Sequence, residues 1–319
     1  MASLRIVAPR TSGLRILRPV PFPHLRYLSQ AASTAPVAQL TRSTELEGLT
    51  YLELNRPQAK NALSVELVDR MRQLVEDVRF DGWTRTLILH STAPGSFCAG
   101  ADLKERKGMQ PLEVARFLYN LRRLLSEIES LLLPTIAAVD GPALGGGLEL
   151  ALACDLRVAG SSVTKIGLPE TRLAIIPGAG GTQRLSRLVG ASRAKDLIFS
   201  SRIMAASEAL ERGAASLPWL LILPGIDRTG SLIAGVVNYV SGKGQSATEK
   251  AEEVVKEMLQ AGPLALRAAK TAIDIGAEVD LESGLDVERL AYQTILSTED
   301  RMEGLRAFAE KRKPVYQGR

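Results

Sequence analysis

The stretch "VDGPALGGGLELALACD" (Val139–Asp155) decides the fold. Its first residues close the apolar run "PTIAAVDG" (134–141), bounded by Pro and Gly as a buried strand would be. Three glycines lead into "LELALAC", apolar but for Glu149, and "DLRVAG" (155–160) reads as a further short strand. Strand, helix and strand in that order imply crossover connections and an α/β core. The same stretch is costly to fold. Glycine weakens a helix, and a carboxylate resists burial. Glu149 at the mouth of a core helix therefore asks for a chemical reason.

The pattern continues on both sides. "LTYLELN" (49–55) alternates apolar and polar residues as a strand does. "SVELVDRMRQLVEDVRFD" (64–81) has apolar residues at helical spacing, with Ser64 as N-cap. "TRTLILHS" (84–91) is a second strand and "PLEVARFLYNLRRLLSEIESL" (111–131) a second helix. From about residue 249 the signal is helical only, through "TEKAEEVVKEMLQAG", "PLALRAAKTAIDIGAE", "DLESGLDVERLAYQTILS" and "TEDRMEGLRAFAEKRK". The expected organisation is a leader and linker over 1–38, an α/β core over 39–248 and a helical region over 249–319. One segment, "AASLPWLLILPGIDRTGSLIAG" (214–235), interrupts this pattern with two prolines and an apolar run. It reads either as an extra loop or hairpin, or as translated intron sequence, and a transcript crossing it separates the two.

Composition narrows the chemistry. Of 319 residues 45% are hydrophobic and only 4% aromatic, so the core is built from Leu, Val, Ile and Ala. The formal net charge of +5 is unevenly spread. Six of the 40 basic residues, Arg5, Arg10, Arg15, Arg18, Arg26 and Arg42, precede the first acid, Glu45, which leaves 34 basic against 35 acidic residues beyond. An arginine-rich, acid-free N-terminus with interspersed apolar and hydroxyl residues is the composition of a mitochondrial transit peptide, with "RYLSQ" (26–30) as a processing site. The chain is expected in the mitochondrial matrix. No apolar run reaches the length of a membrane span. Two cysteines, Cys98 and Cys154, give neither a disulfide framework nor zinc spacing, and with only His24 and His90 no metal site is expected. A Cys98–His90 nucleophile is the remaining alternative, although His90 reads as a strand-end residue. Acid/base chemistry falls to carboxylates.

Three motifs offer it. "GSFCAGADLKER" (95–106) follows a strand's carboxyl end, where α/β proteins bind ligands, and its small residues let a ligand approach backbone N–H groups. Gly145–Gly147 form a helix's first turn, whose N–H groups lack intrahelical partners and carry partial positive charge. Two such sources make an oxyanion hole for a carbonyl becoming an enolate. "IGLPETRLAIIPGAGGTQRL" (166–185) adds Glu170. Its "GAGGTQ" imitates a dinucleotide loop but lacks the G-x-G-x-x-G spacing and a preceding strand. Two glutamates among small residues suit general acid/base catalysis, with pKa values raised by burial.

The order of "NRPQAKNALS" (55–64), "FCAGADLKE" (97–105), "GPALGGGLELALACDLRVA" (141–159) and "LPETRLAIIPGAGGTQRL" (168–185) resembles the enoyl-CoA hydratase/isomerase, or crotonase, family. The resemblance runs from about residue 45 to the C-terminus, apart from the insert. It implies a spiral of ββα units with a C-terminal helical region that builds homotrimers, often paired as hexamers. It implies acyl-CoA as substrate and no separate cofactor. By position, Ala99 and Gly146 are expected to supply the oxyanion-hole N–H groups, and Glu149 and Glu170 to hold a water between them. Lys60, Ala62, Gly100, Ala101, Asp102, Leu103, Gly145, Pro169 and Gly178 are expected along the CoA and thioester path, with basic residues near Lys311 reaching a neighbour's CoA phosphate. Both glutamates favour hydration; the family's Δ3,Δ2-isomerases need only the counterpart of Glu170. "FCAGADLKER", "AKDLIFSSR" and "EDRMEGLRAFAEKRKP" point to a hydratase branch of mitochondrial leucine degradation that also binds AU-rich RNA. For RNA the basic run "RMRQLVEDVR" (70–79) is available, diluted by Glu76 and Asp77, so that role is secondary at most. Two departures stand out: the 214–235 insert, and one extra residue between the glutamates, expected to be absorbed before Gly167.

Overall fold

The computed structural model describes residues 35–211 and 235–319. The expected leader, up to residue 34, and nearly all of the insert lie outside the described residues. A compact unit runs from Pro36 to Arg319. Its six-stranded sheet has the order β1 (Ala38–Arg42), β2 (Leu49–Leu54), β3 (Thr86–Ser91), β4 (Thr135–Val139), β6 (Leu156–Ala159), β9 (Tyr239–Val240). β1 pairs antiparallel with β2, and every later pair is parallel. Crossovers carry the helices: α1 (Val65–Phe80) between β2 and β3, then α2 (Leu103–Lys107) and α3 (Pro111–Glu129) before β4. A second sheet joins β5 (Ala143–Leu144), β7 (Ile166–Gly167) and β8 (Ile203–Met204).

The strands' period of two divides the core. Leu87, Leu89, Ala137 and Val139 face the cluster under α1 and α3, while Ile88, Ile136 and Ala138 face a smaller cluster on the other side. That second face is covered by α8 (Ala247–Met258), through Ala247, Ala251, Val254 and Val255. The expected boundary between residues 248 and 249 therefore falls inside a core helix, because α8 carries the apolar stripe that closes the sheet. The separate helical region begins with α9 (Pro263–Gly276), followed by α10 (Leu281–Gln293) and α11 (Glu299–Ala309). The other boundary also moves by one residue, since Ala38 is a fully buried member of β1 and not linker.

Local chemistry sets the element ends. The Ser64 side chain accepts from Leu67 N and caps α1, and Asp102 accepts from Lys104 and Glu105 N–H to cap α2; each such cap is worth about 1 kcal/mol. α4 (Gly146–Leu152) starts earlier than "LELALAC" suggests, since two of the three glycines are helical and Gly145 is its N-cap at φ 53°. A side chain on Gly147 would collide with the Cys98 carbonyl, so the glycines bring α4 against the loop after β3. The rest of the second layer is α5 (Gly181–Val189), α6 (Ala191–Phe199) and α7 (Ala206–Glu211).

Candidate active site

Three segments converge where the sequence predicts, at the carboxyl ends of β3 and β4. The loop after β3 bridges to Leu63: Leu63 N–H donates to Gly100 O (2.7 Å) and Asp102 N–H to Leu63 O (3.2 Å). Alternation along this extended run turns the intervening Ala101 N–H the other way, without a protein partner among the described residues. The Gly146 N–H, at the first turn of α4, is likewise unpartnered. The two segments are in contact: a side chain on Gly146 would lie 3.7 Å from Ala101 N, and one on Gly100 would lie 3.3 Å from Gly146 N. Gly100 must be glycine, being at φ 90° with its Cβ position 2.6 Å from Leu144 O. This corrects one expectation. Ala99 N–H already donates to Lys60 O at 3.0 Å, so it is not free for an oxyanion; Ala101 takes that place beside Gly146.

Glu149 is 3% exposed. Its Oε1 accepts two backbone N–H groups, from Ala179 and Gly181, both at 2.8 Å. Burial raises its pKa, and those two hydrogen bonds together with the charges of Arg184 and Arg122 oppose the rise. The "GAGG" turn thus presents its N–H groups to a carboxylate of its own chain, which disposes of the dinucleotide reading. Glu170 opens a single 3-10 turn (Glu170–Leu173) after β7. A Cβ on Gly145 would stand 2.9 Å from Glu170 Oε1, so the second carboxylate lies over the N-cap of the helix that carries the first. Between the two glutamates the chain turns after Gly160, closed by Val163 N–H donating to Gly160 O at 2.9 Å, and then enters the β5–β7 pairing that carries Gly167. Glu170 Oε2 is buried with no hydrogen-bond partner, and burial, with the Glu149 charge, pushes the carboxyl up to about 7.

The other expected residues separate by role. Gly145 and Gly146 are buried at the site, and Ala62 and Pro169 flank it in sequence beside Leu63 and Glu170. Lys60 is exposed in a left-handed conformation and its carbonyl anchors Ala99 and Ser96. Asp102 is buried beside Leu63. Its carboxylate is spent on the α2 cap and on Arg56 at 2.7 Å, which hold its pKa below the usual range against the opposing effect of burial. Leu103 is exposed at the start of α2. Gly178 packs under Leu118, and its carbonyl accepts from Arg122 Nε at 2.7 Å. Lys311 is exposed after α11. Cys98 and His90 do not pair: the thiol, pushed up to about 12 by burial, donates to Asn61 O, and the His90 ring packs on Tyr51. Among the described residues no group of His, Cys, Asp or Glu could hold a metal ion. Within the run 70–79, Arg70 donates to Ala38 O, Arg72 is paired bidentately with Glu127, and Arg79 donates to Glu127 O.

Sequence reasoning missed the scaffold of Glu149. Arg184 donates to Ala179 O and, bidentately, to Glu129; Arg122 holds the Gly178 carbonyl. Only the glycine-rich turn hinted at it.

The enoyl-CoA hydratase/isomerase family model matches residues 44–216 and 228–319, leaving 217–227, inside the insert, unmatched. The chain is 48% identical over 274 residues to the mitochondrial methylglutaconyl-CoA hydratase of Mus musculus, covering 86% of this chain and 81% of that protein. It is 42% identical to an enoyl-CoA isomerase/hydratase of Mycosarcoma maydis, over 90% of this chain and 99% of the other. The crystal structure of an enoyl-CoA hydratase from Bacillus anthracis superposes with a TM-score of 0.79 at 41% identity, covering 89% of this chain and all of that one.

Proposed function

The chain belongs to the enoyl-CoA hydratase/isomerase family, and on that premise we propose that it adds water across a 2-enoyl-CoA double bond, with 3-methylglutaconyl-CoA as substrate and 3-hydroxy-3-methylglutaryl-CoA as product. The observation that carries the reaction is the pair of buried glutamates, one accepting two backbone N–H groups and one poised near neutrality, beside an unpartnered N–H pair. Water rests between the carboxyl groups. Glu149 takes a proton from it as its oxygen attacks Cβ. The double-bond electrons move onto the thioester oxygen, which Ala101 and Gly146 N–H receive. Glu170 delivers its proton to Cα as the enolate collapses, and proton exchange between the two carboxyls and solvent resets the site. No cofactor enters; CoA is part of the substrate. Two carboxylates favour hydration over isomerisation. The substrate assignment is supported by the name of the Mus musculus relative, and the isomerase alternative by that of the Mycosarcoma maydis one.

The arginine-rich segment ahead of β1, from Arg5 to Arg26, acts as a leader to the mitochondrial matrix, a reading supported by its composition and by the mitochondrial relatives. The apolar faces of α9 to α11 serve assembly into a homotrimer or hexamer. Glu149→Gln and Glu170→Gln test the chemistry: each is expected to lower kcat by about 100- to 10,000-fold with little change in KM. Undiminished hydration by either variant overturns the assignment. Faster turnover of a 3-enoyl than of a 2-enoyl substrate replaces it with isomerisation.

A further inference from the structure

We infer that Arg106 sets the substrate class of this site: its guanidinium receives a carboxylate at the far end of the acyl chain, so that acid-tailed 2-enoyl-CoA thioesters are preferred over neutral ones. The inference rests on the hydratase reading. α2 leaves directly from the oxyanion loop, and Arg106 N–H donates to Asp102 O at 2.9 Å, which sets Arg106 one helical turn beyond the residue after Ala101. Its guanidinium stacks on the Phe117 ring, with Cζ 4.9 Å from the centroid. Phe117 belongs to α3, and the next residue, Leu118, packs on Gly178 in the loop that leads to the Glu149 donors. The guanidinium is thus held against α3 within one helical turn of the oxyanion loop. It has no hydrogen bond or ion pair among the described residues, and its NH1 is buried without any partner. The nearest acid, Glu105, is turned away to accept from Val65 N–H.

A half-buried cation with no counter-ion is unfavourable within a fold. Burial lowers the pKa of Arg106, with only the adjacent Glu105 charge opposing it. The aromatic face fixes one side of the guanidinium and leaves its edge N–H groups in the fork that fits a carboxylate bidentately. 3-Methylglutaconyl-CoA carries such a carboxylate two bonds beyond the carbon that water attacks. An aliphatic side chain at residue 106 would cover Phe117 as well and accept a neutral tail better.

The test compares the full chain with Arg106→Met and Arg106→Lys in hydrating 3-methylglutaconyl-CoA and crotonyl-CoA, followed by loss of the enoyl-thioester absorbance. The quantity read is the ratio of kcat/KM for the acidic substrate to that for the neutral one. Arg106→Met is expected to lower this ratio by about 100-fold or more, and Arg106→Lys to retain part of it. A ratio within about twofold of wild type in Arg106→Met overturns the inference and leaves Arg106 a cover for Phe117. Wild-type protein that hydrates crotonyl-CoA but not the acidic thioester also overturns it, while the hydratase reading stands. Hydration of neither overturns the hydratase reading beneath it. Should Arg106→Met not fold, Arg106→Gln, which keeps a polar head without charge, is read the same way.

Discussion

Burial lifts the Glu170 carboxyl to about 7, and the Glu149 charge adds to the lift, so the side chain that serves the chemistry works against the fold at alkaline pH. Between the ordinary carboxyl value and about 7 the native state binds more protons here than the unfolded chain does. Stability from this group is therefore full at low pH and is lost as pH rises through about 7. Glu170→Gln removes the loss. The thermal midpoint of the variant is expected to exceed that of wild type at pH 8 by more than at pH 5; equal differences at both would show that the carboxyl is not raised. In the wild type, kcat/KM should fall above pH 7 as the acid loses its proton. The sequence makes both glutamates legible, because a carboxylate in a small-residue, apolar setting stands out by composition. It does not tell Ala99 from Ala101. "CAGA" offers consecutive N–H groups, and only the bridge to Leu63 decides which of them turns inward.

The loop 178–181 and helix α5 work as one element, a bracket around Glu149. Arg122 from α3 and Arg184 from α5 hold its carbonyls, which turns the Ala179 and Gly181 N–H groups inward. Gly180, at φ 109°, allows the turn, and any Cβ there would strike the Arg184 guanidinium. Gly180→Ala is expected to cost about 1–3 kcal/mol in stability from the disfavoured backbone alone. It should also lower kcat about 10-fold or more as the donors shift, with KM nearly unchanged. Arg184→Ala separates positioning from packing. Loss of its charge raises the Glu149 pKa further, so the acidic limb of the kcat/KM profile moves to higher pH. A lower thermal midpoint with that limb unmoved would leave Arg184 a purely structural residue. The glycine-rich turn is visible in sequence as a supply of N–H groups. Its acceptor is not, because Glu149 lies 30 residues before Ala179 and meets it only through the α4–α5 packing.

Across the molecule, the parallel sheet is legible because its strands are buried on both faces and bounded by Gly and Pro. The assignment of α8 is not, since a helix that closes a sheet and one that joins a helical region share the same amphipathic pattern. Among the described residues, apolar side chains of the C-terminal helices are left exposed. α10 has no buried residue, and Leu281, Leu285 and Tyr292, spaced to fall on one helical stripe, are all exposed, Leu281 by 79%. Ile273 on α9 and Phe308 on α11 are exposed as well, the latter by 87%. Exposed apolar side chains on successive helices are a mark of association, and a ring of three such chains is expected to bury them. Sedimentation at micromolar concentration is expected to give a mass of three or six chains. Leu281→Asp combined with Leu285→Asp should release single chains and lower the thermal midpoint, since each charge would have to be buried in the ring. A wild-type chain that sediments as a monomer would overturn the assembly and assign the stripe to some other partner.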